Sequence, residues 1–273
     1  MFEYEFMQKA FLAGIMLGVV VPSIGVIVVL KRLSMIGDAL SHTSLAGVAA
    51  GLIGGINPVL GASIACIAAA FCVEGISRKF KGHAELAIAI VMSTGIGLAG
   101  VLSGFVPNAA NFNSFLFGSI VTVSNAELYS IMAIGFVVLA FCVLCYKELF
   151  FIALDERSAR LAGVPIAIIN FLFILMTALT VSIAARTVGA LIVSSMMVVP
   201  AACGLQLARS YRQMVGISCF VGVATTATGL VLSYYFGLRP GATIVLVAVS
   251  VLLIIFSIKH IAKLIRKQQL KSA

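Results

Sequence analysis

Along this chain apolar residues come in long uninterrupted runs, and polar residues are confined to the short gaps between them. The runs fall near 10–30, 35–56, 58–77, 84–104, 126–146, 165–185, 187–208, 213–236 and 240–258. Each is close to the roughly 17–25 residues that a helix needs to cross a bilayer. The pattern predicts an all-α, polytopic membrane bundle of about eight or nine transmembrane helices, a single transmembrane domain over residues 1–273. The second run is the least regular because it starts with polar residues. The stretch NFNSFLFGSIVTVS, residues 111–124, reads as a further half-inserted piece.

Composition agrees with the pattern. Hydrophobic residues make up 62% of the chain and charged ones 10%, where soluble domains carry about 25% charged. A net charge of +9 would suit nucleic acid if it formed a patch, but Lys and Arg sit in short clusters between the runs. Threading nine runs alternately through a membrane, N-terminus outside, puts 15 of the 18 basic residues on one side. Only Lys9, Arg186 and Arg239 remain opposite. The positive-inside rule makes the rich side the cytoplasm, so the basic stretch 259–273 becomes a cytoplasmic tail attracted to anionic lipid. The N-terminal MFEYEFMQK offers no small-residue cleavage site, and no removable signal peptide is expected. All six cysteines lie inside apolar runs; Cys142 and Cys145 form a C-x-x-C without a second pair, which reads as packing. Glycines at four-residue spacing (Gly14/Gly18, Gly47/Gly51, Gly51/Gly55, Gly100/Gly104) predict close helix approach.

Against this background the stretch KRLSMIGDALSHTSLAGVAAG, residues 31–51, stands out. It places Asp38 and His42 inside a membrane helix, where a central carboxylate costs about 2.5–3.5 kcal/mol on insertion scales. Counting from Lys31 at about 1.5 Å per residue, Asp38 lies roughly 10 Å deep and His42 roughly 16 Å. Their i, i+4 spacing puts both on one helix face. A carboxylate and an imidazole suit Zn²⁺, Mn²⁺ or Fe²⁺, and the lack of a thiolate cluster argues against Cu(I). Two ligands do not complete a site, so others would come from another helix, a second subunit or water. The alternative is an Asp–His hydrogen bond that merely ties two helices together. Glu85, in KGHAELAIAIVMS, is the next intramembrane carboxylate and reads either as a further ligand or as an interfacial residue near Lys79 and Lys81. Glu74 is expected to pair with Arg78 at i+4, and Glu127 and Glu148 to be interfacial. Arg186 and Arg239 would snorkel outward or meet an acidic partner.

A second informative stretch is ALDERSARLAGVPIA, residues 153–167. It predicts a short amphipathic helix with Leu154, Ser158, Leu161 and Ala162 on one face and Asp155, Glu156, Arg157 and Arg160 elsewhere. Gly163 and then Pro165 stop it. Such a helix either docks on a partner or is an ordinary solvated loop helix. No G-x-x-x-x-G-K-[ST] occurs, so the chain has no P-loop of its own, and H-E-x-x-H and G-x-S-x-G are missing too.

Five stretches together, RLSMIGDALSHTSLAGVAAGL…NP, FLFGSIVTVS, DERSARLAGV, TALTVSIAARTVGALIVSSMMVVPAA and SYYFGLRPGATIVLV, resemble the permease subunits of ABC importers for zinc, manganese and iron. The likeness runs from about residue 10 to 260. It implies a homodimer in the bacterial plasma membrane, two separate cytoplasmic ATPase subunits that use the ATP, and an extracytoplasmic metal-binding protein that delivers the ion. No enzyme activity of its own, no resident cofactor and no nucleic acid are implied. Carried over by position, Asp38 and His42 match the family's intramembrane metal-pathway residues. The segment of about 153–165, with Asp155, Glu156, Arg157, Arg160, Leu161 and Gly163, matches the loop that seats in the ATPase cleft. Relatives often show paired acids before the fourth span; this chain has Ala84-Glu85, so any such role rests on Glu85 alone. VGALIVSSMMVVPAA and the block around Asp38 look closer to the zinc branch, which makes zinc the expected cargo and manganese or iron the alternatives. The rival reading is a secondary carrier or channel in which Asp38 and His42 relay protons. An intramembrane enzyme would lack a recognisable nucleophile.

Overall fold

The apolar runs become helices in the computed structural model, which describes residues 4–80, 83–106, 112, 115, 116, 118, 120 and 123–272, the side chains of 262 and 264–272 excepted. In chain order the helices are α1 (Glu5–Leu30), α2 (Ile36–Ile53), α3 (Pro58–Lys79), α4 (Ala84–Ser103), α5 (Asn125–Leu144), α6 (Tyr146–Leu154) and α7 (Glu156–Leu161). Then come α8 (Ile166–Ala184), a π-helical turn (Ala185–Gly189), α9 (Ala190–Leu207), α10 (Tyr211–Phe236) and α11 (Pro240–Ser272). No strand occurs among the described residues. Polar residues in the gaps start the helices. Asn57 accepts from the Val59 N–H ahead of Pro58, and Ser124 and Glu127 form a capping box on α5.

Among the described residues, eight helical stretches are long and apolar enough to cross a membrane. One of them, Ile166–Leu207, has 42 residues; as a straight helix it would reach about 63 Å, twice the roughly 30 Å of a hydrocarbon core. It reverses instead. The π-helical turn ends at Gly189, whose φ of 111° is open to glycine and strained for other residues. Contacts at the two ends of the bundle confirm the reversal. At one end Lys31, Arg78, Glu156 and Asn170 border one cavity, Leu144 and Arg212 border another, and Lys259 donates to the Gln206 carbonyl. At the opposite end Asn57, Ser124, Glu127 and Arg186 border a third, and Gly241 abuts Val188. Counting α8 and α9 separately, nine membrane-length helices among the described residues alternate in direction. The basic clusters between them share one end, as threading the runs predicted.

The core forms around α1, whose most apolar window is 72% buried, against 22% for α5 and for the apolar part of α11. α9 and α10 pack along α1, while α3 and α4 pack along α2. Two of the glycine pairs expected to mark close approach do so: a Cβ on Gly18 would stand 3.1 Å from the Gly222 carbonyl oxygen, and one on Gly47 would collide with Gly61. Gly55 and Gly100 face open space. All six cysteines are free thiols, Cys142 and Cys145 included. Half of the half-inserted piece expected over 111–124 lies outside the described residues. Of its described members, Phe115 and Ile120 are buried, and Gly118 rests against Val188 and Gly189 at the end opposite the basic one. α11 continues as helix to Ser272, past its apolar window, through the basic tail.

Candidate functional site

α1 ends in a tightly bonded turn that aims the start of α2. The Leu33 N–H donates to the Val28 carbonyl at 2.9 Å and the Arg32 N–H to the Val29 carbonyl at 3.1 Å, with Arg32 at φ 59°. This is the Schellman ending, in which the left-handed position is usually glycine. α2 then begins at Ile36, and Gly37 presses so closely on α9 that an added Cβ would lie 3.3 Å from the Ser194 Cα.

Asp38 falls in the first turn of α2, where the helix dipole favours a carboxylate. His42 follows one turn later, and both side chains are half-buried. Neither makes a hydrogen bond or ion pair among the described residues, so no Asp–His bond ties helices together here. Their polar neighbours behave differently. Thr43 returns its hydroxyl to the Ala39 carbonyl at 2.9 Å, whereas the buried Ser41 hydroxyl has no partner among the described residues. No group of three or more His, Cys, Asp or Glu side chains occurs among the described residues. Glu85 is exposed in the first turn of α4 and does not join the pair within one chain. The pair thus offers one oxygen and one nitrogen donor on one helix face, with no third His, Cys, Asp or Glu grouped with it among the described residues.

The basic end holds the second predicted site. Asp155 caps α7 by accepting from the Arg157 N–H at 2.9 Å and from the Ser158 hydroxyl. Those hydrogen bonds, the Ser158 hydroxyl first, hold the Asp155 carboxyl below the usual carboxylate range. Glu156 and Arg160 pair along the exposed side at 3.6 Å. Gly163, at φ 79°, closes α7 with the same Schellman bonds, Val164 N–H to Ala159 carbonyl and Gly163 N–H to Arg160 carbonyl, both 3.1 Å. Only Ala159 of α7 is buried. Leu161 is 90% exposed and Leu154 62% exposed, but Leu154 ends α6, so the two leucines expected on one helix face stand uncovered on two helices. Beside α7 a cavity of about 670 Å³ is bordered by Lys31, Glu74, Arg78, Glu156, Arg160 and Asn170. Glu74 and Arg78 are paired at 2.9 Å, as their spacing predicted.

At the far end sequence reading missed a pairing. Arg186 in the π-helical turn donates to Glu127 at the start of α5, Nε to Oε1 3.0 Å, and its guanidinium lies 4.7 Å from the Phe115 ring centroid. The two residues are 59 positions apart, and each looks separately interfacial in sequence. They border a cavity of about 280 Å³ together with Asn57, Ser130 and Thr187.

Comparison with known proteins places this geometry among transporters. A model of the ABC 3 transport family matches residues 3–259. A protein of Treponema pallidum named "probable metal transport system membrane protein" is 34% identical, over 96% of this chain and 99% of that one. The manganese transport system membrane protein MntC of Listeria monocytogenes is 32% identical, over 93% of this chain and 91% of that one. Among solved structures, PsaBC from Streptococcus pneumoniae in complex with Fab superposes with a TM-score of 0.83 at 29% identity, covering 93% of this chain and 92% of that one.

Proposed function

The chain belongs to the ABC 3 transport family, and from that premise we propose that it is the membrane permease of an ATP-driven importer of divalent metal cations, with Asp38 and His42 holding the ion in transit. The observation that carries the reading is the acid–imidazole pair itself, set one turn apart on a half-buried face of α2 with no hydrogen-bond or ion-pair partner among the described residues. Intramembrane ionisable residues are costly and mark ion pathways. A second copy of the chain would contribute the same pair and complete a four-donor set of two carboxylates and two imidazoles, which suits manganese or zinc. The Listeria relative named for manganese supports the first metal, and the motif resemblance supports the second.

Lacking a P-loop, the chain depends on separate ATPase subunits, and α7 with its uncovered Leu161, beside Leu154 at the end of α6, is their docking element. The end that gathers the basic residues faces the cytoplasm and carries the C-terminus. The opposite end, with Arg186 and Glu127, receives an extracytoplasmic metal-binding protein.

The test is uptake in a deletion strain, measured element by element. The wild-type gene should restore ATP-dependent accumulation of manganese or zinc. Asp38→Asn and His42→Ala, at wild-type membrane abundance, should each lower it by more than about 100-fold, beyond the 10–100-fold that loss of outer-shell partners costs metal sites. Normal accumulation in both variants would refute the metal-pathway reading, and uptake independent of ATP would replace the importer with a carrier.

A further inference from the structure

We propose that Lys31 is a positioning residue that transmits movement of the α7 docking helix to α2 and its Asp38–His42 pair. The proposal rests on the importer reading above. Lys31 is the C-cap of α1 and lies seven positions before Asp38. Its ammonium donates to the Asn170 Oδ1 at 2.7 Å and sits 5.0 Å from the centroid of the Phe173 ring. Both partners belong to α8, three residues apart and therefore on one face. Phe173 is fully buried, so the ring cannot follow the ammonium outward.

The chain between these groups is stiff on both sides. From α7 to α8 the Gly163 turn is closed by its two Schellman bonds, and the Ile169 N–H already donates to the Pro165 carbonyl at 3.1 Å. Asn170 thus moves with α7. From Lys31 to α2 the turn is closed by the Leu33 and Arg32 bonds to α1, and then by Ile36 N–H to the Leu33 carbonyl at 2.9 Å. A tilt of α7 and α8 must therefore drag Lys31 and the first turn of α2, or break the bond to Asn170.

A purely structural anchor accounts poorly for a lysine at this position. Burial pulls the ammonium below its usual lysine value, against the opposing pull of Glu156 and Glu74. No carboxylate lies within ion-pair distance of it among the described residues. A half-buried ammonium whose direct contacts are a neutral amide and a ring stabilises a fold less than a well-packed apolar side chain would. A charge kept under those terms makes sense where two elements must stay linked while both move.

The test uses the full permease with its ATPase subunits in lipid nanodiscs or vesicles, reading metal ions moved per ATP hydrolysed. Lys31→Met and Asn170→Leu should keep subunit co-purification and ATP hydrolysis while lowering ions per ATP by about tenfold, within the range that inter-site coupling spans. Asn170→Asp, which keeps an acceptor for the ammonium, should restore the ratio. A wild-type ratio in both Lys31→Met and Asn170→Leu would overturn the proposal. So would a proportional fall of uptake and hydrolysis, which would make Lys31 a residue of assembly only. If the importer reading itself fails, the wild-type protein shows no ATP-dependent metal movement, a result distinct from either.

Discussion

Two pairs of ionisable groups, one at the end of the bundle opposite the basic clusters and one inside α2, are treated in opposite ways. Glu127 and Arg186 meet at 3.0 Å, with Phe115 under the guanidinium and Ser124 bonded to the same carboxylate. Among the described residues Asp38 and His42, one turn apart on α2, have no such partners, and the buried Ser41 hydroxyl beside them has none either. Half-buried charge is expensive in both places. Where the role is structural, the cost is offset inside the chain by an opposite charge. On the proposed reading, Asp38 and His42 gain theirs only when the ion and a second set of donors arrive. Leu161 is the apolar counterpart of the second case: α7 leaves it 90% exposed, where the proposed reading docks the ATPase subunit.

The largest effect should come from closing that apolar opening. Leu161→Asp puts a charge into the docking contact without touching the fold, because the side chain is outside it. Loss of a central interface residue costs about 2 kcal/mol or more, so ATPase subunits should no longer co-purify and transport should stop while the permease stays folded in the membrane. Full transport by this variant would break the link between α7 and a partner.

A smaller contrast sharpens the comparison of the two charged pairs. Glu127→Gln leaves Arg186 without its counter-ion and should lower stability by about 1–2 kcal/mol, short of the roughly 3–5 of a fully buried pair because both partners keep some solvent. Asp38→Asn removes a charge that has no partner, so stability should hold or rise by up to about 1 kcal/mol while uptake is lost, the usual trade at functional sites. Thermal unfolding of both variants in the same detergent reads the difference. Equal destabilisation would mean that Asp38 has a structural partner after all.

Helix positions were legible because run length alone decides them in a membrane, down to the division of the 42-residue stretch near Arg186. Asp38 and His42 were legible because a carboxylate inside an apolar run has few explanations. The α7 stop was legible from Gly163 and Pro165, local turn chemistry that needs no tertiary context. The pairing of Arg186 with Glu127 and of Lys31 with Asn170 was not, since they join residues 59 and 139 positions apart. Helix periodicity says nothing of which helices become neighbours. The π-helical turn before Gly189 was invisible for a related reason: Ala-Arg-Thr-Val-Gly has no proline and continues an apolar run. It is set by packing, with Gly118 against Val188 on one side and Gly241 on the other.

The central claim is that Asp38 and His42 are the chain's own donors to the transported ion. Its most direct test is the metal content of the purified permease–ATPase complex in nanodiscs, equilibrated with Mn²⁺ or Zn²⁺, freed of loose ions and counted by element-resolved mass spectrometry. About one ion for every two permease chains is expected for the wild type, as a four-donor site shared by two pairs requires, and none for Asp38→Asn or His42→Ala. Wild-type metal content in both variants would contradict it.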